Sequence, residues 1–372
     1  MSRTVVGASR IWFRATSTPY SQPLNAPDAS AICVASIFRQ QFAVERTPVL
    51  IDYPMKLRLS QTLMYIVLSL CVSAPGAAQT ESTSKPAQYD KSVPEPTLEG
   101  IKYGAHNRHV IDFWRADSES PTPLVFVIHG GGWRGGSKER VHKFVEVKAL
   151  LKAGISVAAI NYRYVTQAGD TSPPVKVPLY DAARALQFVR SKSTEWNIDK
   201  QRIAATGGSA GACSSLWLAF HDDLADPANA DPVARESSRL RCAAVMGAQT
   251  SLDPKQMKEW TPNSKYGAHA FGKASFEEFL ADREEILPWI AEYSPYALVS
   301  KGDPPIFLVY SSMPALGKHA KDPTHTANFG VKLQEHCESI GVACELSYPG
   351  ATNVTHQNPT EYLIATLKQE SQ

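Results

Sequence analysis

Gly207-Gly208-Ser209-Ala210-Gly211 is entered by the short apolar run 203–205 and left by the helix-like run 213–220. The stretch therefore reads as strand, tight turn and helix, with a serine on the turn. Such a turn projects the serine hydroxyl above the sheet, and small flanking residues avoid the clashes that a strained backbone would otherwise force. This pattern predicts Ser209 as a nucleophile for acyl transfer. A small-residue cluster also fits an ordinary loop or a close helix–strand contact, so a second signal has to decide.

That signal is His129-Gly130-Gly131-Gly132-Trp133, directly after the apolar run 124–128. Three successive glycines let the backbone turn its N–H groups toward one point, where they can stabilise a tetrahedral oxyanion together with the amide that follows the nucleophile. Gly130, Gly131 and Ala210 are the expected donors. A glycine-rich turn explains either cluster separately, but not both in this order and context.

With these motifs the chain resembles the α/β-hydrolase superfamily, specifically the HGGG-type esterases related to hormone-sensitive lipase and to bacterial feruloyl and acetylxylan esterases. The resemblance covers most of residues 95–370. It extends to Asn161-Tyr162-Arg163-Tyr164 after the run 155–160, and to a helix over 181–192 that leads through Asn197-Ile198-Asp199 into the elbow strand. It implies hydrolysis of an acyl bond more firmly than it names the bond, because kynurenine formamidases and some peptidases share a similar loop and elbow.

The resemblance also implies an acid and a histidine, in that order after the serine. His356 follows the last expected strand, 344–348, and precedes the closing helix 360–368, where such a hydrolase carries its general base. The acid is a departure from the family pattern, since Ser311-Ser312-Met313-Pro314-Ala315 after the strand 306–310 contains no carboxylate. Asp322, farther along the same connection, is the first choice if the loop folds back, although it equally fits an N-cap with Pro323 opening a helix. Asp253, after the strand 243–248, is the second.

Alternating strands and helices predict an α/β fold: a mostly parallel sheet covered on both sides, with an antiparallel first edge from 100–103 and 109–116. Ligand sites in such sheets lie beyond the carboxyl ends of the strands. Trp133 and Tyr162 are the expected pocket walls, with Tyr164 and the insertion 253–293 as further contributors. Within that insertion Trp260, Tyr266, Phe271, Phe276 and Phe279 read as the core of a small cap.

A hydrophobic fraction of 43%, 20% charged residues and a formal net charge of +2 describe an ordinary globular chain and give no electrostatic argument for nucleic acid. A secretory signal is expected at 55–78: Lys56 and Arg58, an apolar core over 63–72, then Gly76-Ala77-Ala78 before Gln79. That core is too short for a comfortable membrane span. Residues 1–54 then read as an over-extended start or a disordered leader, and residues 79–372 as one catalytic domain. Export would permit a bridge between Cys337 and Cys344, with free buried thiols the equal alternative. No cysteine or histidine pattern suggests a metal, and no cofactor is expected. The expected function is a secreted or periplasmic serine carboxylesterase for short-acyl or polysaccharide-attached esters. A formamidase-type amide hydrolase and a ligand-binding protein that has lost its acid remain the alternatives; oligomeric state is open.

Overall fold

Eight strands pair into one sheet in the computed structural model, which describes residues 87–369. The strands are β1 (Leu98–Lys102), β2 (Val110–Trp114), β3 (Thr122–Ile128), β4 (Ser156–Ile160), β5 (Ile198–Gly208), β6 (Cys242–Met246), β7 (Ile306–Val309) and β8 (Cys344–Ser347), in the spatial order β1-β2-β4-β3-β5-β6-β7-β8. β2 runs antiparallel to both β1 and β4, and every other pair is parallel. The expected antiparallel edge on a parallel sheet is therefore present. The leader and signal readings at 1–54 and 55–78 lie outside the described residues.

Side-chain alternation along β3 divides the core into two faces. Leu124, Phe126 and Ile128 join the cluster that contains α2 (Lys176–Ser191) and α4 (Ala210–Phe220), whereas Val125 and Val127 join the cluster that contains α1 (Val147–Lys152) and α10 (Pro359–Leu367). A strand with both faces covered has no polar side to show, and all seven residues of β3 are buried. The short α3 (Ser193–Trp196) ends at Asn197 in a left-handed conformation, which turns the chain into β5.

The insertion between β6 and β7 carries α5 (Pro254–Trp260), α6 (Phe276–Ala281), α7 (Leu287–Tyr293) and α8 (Pro295–Leu298). Its aromatics are core-forming, as expected: Phe271 stacks on Phe279 at 5.2 Å, and Trp260, Phe271, Phe276 and Phe279 belong to the same hydrophobic cluster as the sheet. The segment is thus packed onto the main core. α9 (Asn328–Ile340) follows β7 after the connection 310–327 and ends at Gly341, whose φ of +88° suits a left-handed helix stop. Cys337 and Cys344 stand as free thiols, so the bridge permitted by the sequence is not formed in this structure. No helix among the described residues is long and apolar enough to cross a membrane.

Candidate active site

β5 ends at Gly208 and α4 begins at Ala210, which leaves Ser209 alone on the turn with φ +55° and ψ −122°. A non-glycine residue there stores on the order of 1–3 kcal/mol of strain, which surrounding contacts must hold. Ser209 N donates to Met246 O at 3.0 Å, and its carbonyl accepts from Cys213 N at 2.9 Å. Gly211 explains the small residues of the motif: a Cβ there would stand 2.1 Å from Ile128 O. The first turn of α4 therefore sits directly on the end of β3, which positions Ser209 beside the glycine loop.

That loop needs its glycines too. Gly131 has φ +116°, and a Cβ on it would meet Gly135 O at 2.2 Å. A Cβ on Gly130 would come within 2.5 Å of Gly208 O and 3.4 Å of Ser209 Cβ, so the loop abuts the elbow. The amides of Gly130, Gly131 and Ala210 make no loop or cap hydrogen bond to another backbone group among the described residues. An unpaired amide is expected at the first residue of a helix.

Behind the loop a buried network fixes its shape. Arg108 donates from Nε to Tyr162 O at 2.7 Å and from Nη2 to Gly136 O at 3.1 Å, and its Nη2 lies 3.3 Å from His129 Nε2. A guanidinium only donates, so His129 accepts on Nε2 and gives its Nδ1 proton to Gly130 O at 2.8 Å. Burial pushes the His129 imidazole down to about 3, which keeps it neutral. From the insertion, His269 donates from Nε2 to Gly132 O at 2.9 Å, and burial pushes it down to about 4.

Ser209 Oγ meets a histidine, but not the expected one. His325 Nε2 lies 2.9 Å from Ser209 Oγ, and His325 Nδ1 lies 2.8 Å from Asp322 Oδ2. A carboxylate can only accept, so Nδ1 carries the proton and the Nε2 lone pair faces the serine hydroxyl. Asp322 Oδ1 also accepts from the amides of Thr324 and His325 at 3.1 and 3.2 Å, closing a tight local turn. Burial alone would raise the Asp322 carboxyl, but the His325 hydrogen bond and charge, with these two amides, outweigh it and hold it below its usual range. The pair is open to solvent, with side-chain exposure of 37% for His325 and 61% for Asp322. Gly247, after β6, lies against the ring, where a Cβ would make an ordinary contact of 3.4 Å with His325 Cδ2, and its φ of +58° favours glycine.

The other expected residues lie elsewhere or serve other purposes. His356 does not face Ser209: its Nδ1 and backbone N bind the Glu345 carboxylate at 2.8 Å each, and its ring packs edge-on to Phe307 and Tyr362. Glu345 on β8 thus anchors the last loop to the strand edge. Asp253 is an N-cap, accepting from Lys255 N at 2.8 Å, and is clamped at 2.8 and 2.7 Å by Arg283 Nε and Nη2, so it is not free to orient a histidine. Asp322 caps no helix, because α9 starts only at Asn328. Trp133 and Tyr162 are wholly buried and are not open pocket walls. Trp133 donates to Ser214 Oγ at 3.0 Å, and Tyr162 stacks on His129 while its hydroxyl donates to His129 O at 2.7 Å. Both brace the glycine loop from behind. His325 is the residue that the sequence reading missed; the spacing Asp322-Pro323-Thr324-His325, inside the connection already singled out for its acid, was the available signal.

An open-edged, mostly parallel sheet with a strained serine at its centre and a glycine loop beside it defines an α/β-hydrolase. The chain belongs to the BD-FAE family of α/β-hydrolase esterases, whose profile matches residues 112–316. That match contains Ser209 and the glycine loop but stops before Asp322 and His325. Among curated proteins the chain is similar to the "Probable carboxylic ester hydrolase LipM" of Mycobacterium tuberculosis, 32% identical over 154 residues covering 39% of this chain and 34% of that protein. It is also similar to the versiconal hemiacetal acetate esterase of Dothistroma septosporum, 27% identical over 134 residues covering 36% and 37%. The chain therefore spans about a third of the length of these relatives. Among solved structures, a truncated carbohydrate esterase from gut microbiota superposes with a TM-score of 0.54 at 18% identity, covering 70% of this chain and 90% of that one. Thermogutta terrifontis esterase 2, phosphonylated by sarin, gives 0.52 at 22% identity over 68% and 84%. These likenesses show the fold.

Proposed function

We propose that the protein is a serine carboxylesterase in which Ser209 attacks the acyl carbon, His325 is the general base and Asp322 orients it. The observation that carries this reading is the continuous relay from Asp322 Oδ2 through His325 to Ser209 Oγ, with both hydrogen bonds within 2.9 Å. His325 Nε2 takes the hydroxyl proton as the Oγ–acyl bond forms, and the amides of Gly130, Gly131 and Ala210 receive the oxyanion. The protonated imidazole then gives its proton to the departing alkoxide. Water repeats the sequence in reverse roles to release the acid and free Ser209.

The exposure of the Asp322–His325 pair supports a site that meets short acyl groups on bulky or polysaccharide-attached alcohols. The relatives named as carboxylic ester and acetate esterases support an ester over an amide. The ligand-binding alternative rests on the absence of an acid beside the base, and the contact of Asp322 Oδ2 with His325 Nδ1 supports catalysis over it. Export is proposed on the sequence of residues 55–78 alone.

The test is a panel of aryl acetates, butyrates, acetylated xylo-oligosaccharides and a formanilide, run on wild type and Ser209→Ala. Ester turnover that Ser209→Ala abolishes is the expected result. Formanilide turnover without ester turnover would overturn the ester reading.

A further inference from the structure

Asp322 sets the orientation of His325 through bonds confined to residues 322–325, so the pair can move as a unit and something else must hold it over Ser209. Gln249, in the segment after β6, makes the hydrogen bond that does so. Its side chain is wholly buried, and Nε2 donates to Thr324 O at 2.8 Å and to Gly247 O at 3.1 Å. Thr324 immediately precedes His325, and Gly247 packs against the His325 ring. The residue before Gly247 is Met246, whose carbonyl receives the Ser209 amide. One amide side chain thus joins the backbone that carries the base to the backbone that carries the nucleophile.

Two neighbouring observations separate this role from ordinary packing. Gln249 Oε1 is buried with no partner among the described residues, a state that costs on the order of 1–3 kcal/mol and that an apolar side chain would avoid. The adjacent Thr250 is equally buried and makes a similar long-range bond, Oγ1 to Phe329 O at 2.8 Å, but it reaches into α9 and not to the histidine. Other ties of the connection, Gly317 N to Trp260 O, Asn263 with Ala320 and Asn328 with Ala315, grip it farther from His325 in the chain.

We propose that Gln249 is a positioning residue that sets the His325-bearing loop against the nucleophile elbow, keeping Nε2 in reach of Ser209 Oγ; this rests on the serine-esterase reading. The loop without that tether keeps its Asp322–His325 pair but samples positions too far from the serine. A displacement of about 1 Å at a reacting pair can lower the rate on the order of 10²-fold.

The experiment compares wild type, Gln249→Leu, Gln249→Met and Thr250→Val on p-nitrophenyl acetate, recording kcat, KM, thermal midpoint and the rate of fluorophosphonate labelling. Both Gln249 variants keep roughly the side-chain volume and carry no hydrogen-bond donor. Expected is a loss of kcat on the order of 10- to 100-fold in both, with a matching loss of labelling rate and little change in KM. Thr250→Val is expected to lower the thermal midpoint while kcat stays within about twofold. Should one Gln249 variant fail to fold, the other, measured on the monodisperse fraction, decides. Unchanged kcat in a folded Gln249 variant, or an equal kcat loss in Thr250→Val, would overturn the proposal. A wild type that neither turns over ester nor labels would instead defeat the esterase reading itself.

Discussion

Asp322 and His325 lie three residues apart on one loop, so the proposed acid and base share a single local turn. That arrangement makes the acid's contribution unusually open to solvent. Replacing Asp322 by asparagine leaves the shape but allows Nδ2–H to face His325 Nδ1, which favours the tautomer that cannot accept from Ser209. A buried aspartate in that position is worth on the order of 10⁴-fold in kcat, whereas screening at 61% exposure reduces the value here to an expected 10²-fold or so. Initial rates of Asp322→Asn on an aryl acetate check this, and unchanged rates would remove Asp322 from the relay. Asp253→Asn is expected to lower stability by breaking the Arg283 clamp while sparing kcat.

Elements were more legible than the residues between them. The central strands are announced by short apolar runs bounded by polar or glycine-rich residues, because a strand buried on both faces has nowhere to place a polar side chain. The edge strands β1 and β8, which carry charged residues and are only partly buried, give a weaker signal. The elbow and glycine loop were legible because their backbone constraints admit few residue types. Gly211→Ala tests that constraint: a Cβ 2.1 Å from Ile128 O can be relieved only by moving α4 off β3. The expected outcome is loss of more than about 2 kcal/mol of unfolding free energy in denaturant titration, or failure to fold. His325 was illegible for the opposite reason. Its place over Ser209 depends on contacts from Gln249, Asn263 and Trp260, distant in sequence, and no local pattern encodes how the connection 310–327 folds back. His356 was misread because it occupies the expected place in chain order, whereas its neighbour Glu345 on β8 holds it at the sheet edge. Trp133 and Tyr162 sit beside the site in sequence but face the core, a distinction that adjacency to a motif cannot make.

At the scale of the whole molecule, the glycine loop 130–132 is kept in shape by two neutral histidines, His129 at about 3 and His269 at about 4. The unfolded chain protonates histidine near 6.5, so between there and these lowered values the unfolded state binds more protons than the folded one. Their stabilising effect is therefore fully present above about 6.5 and is lost as pH falls toward 4 and then 3. Denaturant midpoints are expected to fall on acidification from neutral pH, and His269→Gln is expected to flatten that dependence; an equally steep decline in the variant would contradict the assignment.

His325 on the loop after β7, and not His356 on the loop after β8, is the base proposed for Ser209. The most direct test is the rate of Ser209 labelling by a fluorophosphonate, read by peptide mass spectrometry, in His325→Ala and His356→Ala beside wild type. The account predicts that His325→Ala slows labelling by on the order of 10³-fold or more, while His356→Ala labels at close to the wild-type rate with a lowered thermal midpoint. Rapid labelling in His325→Ala together with slow labelling in folded His356→Ala would contradict it.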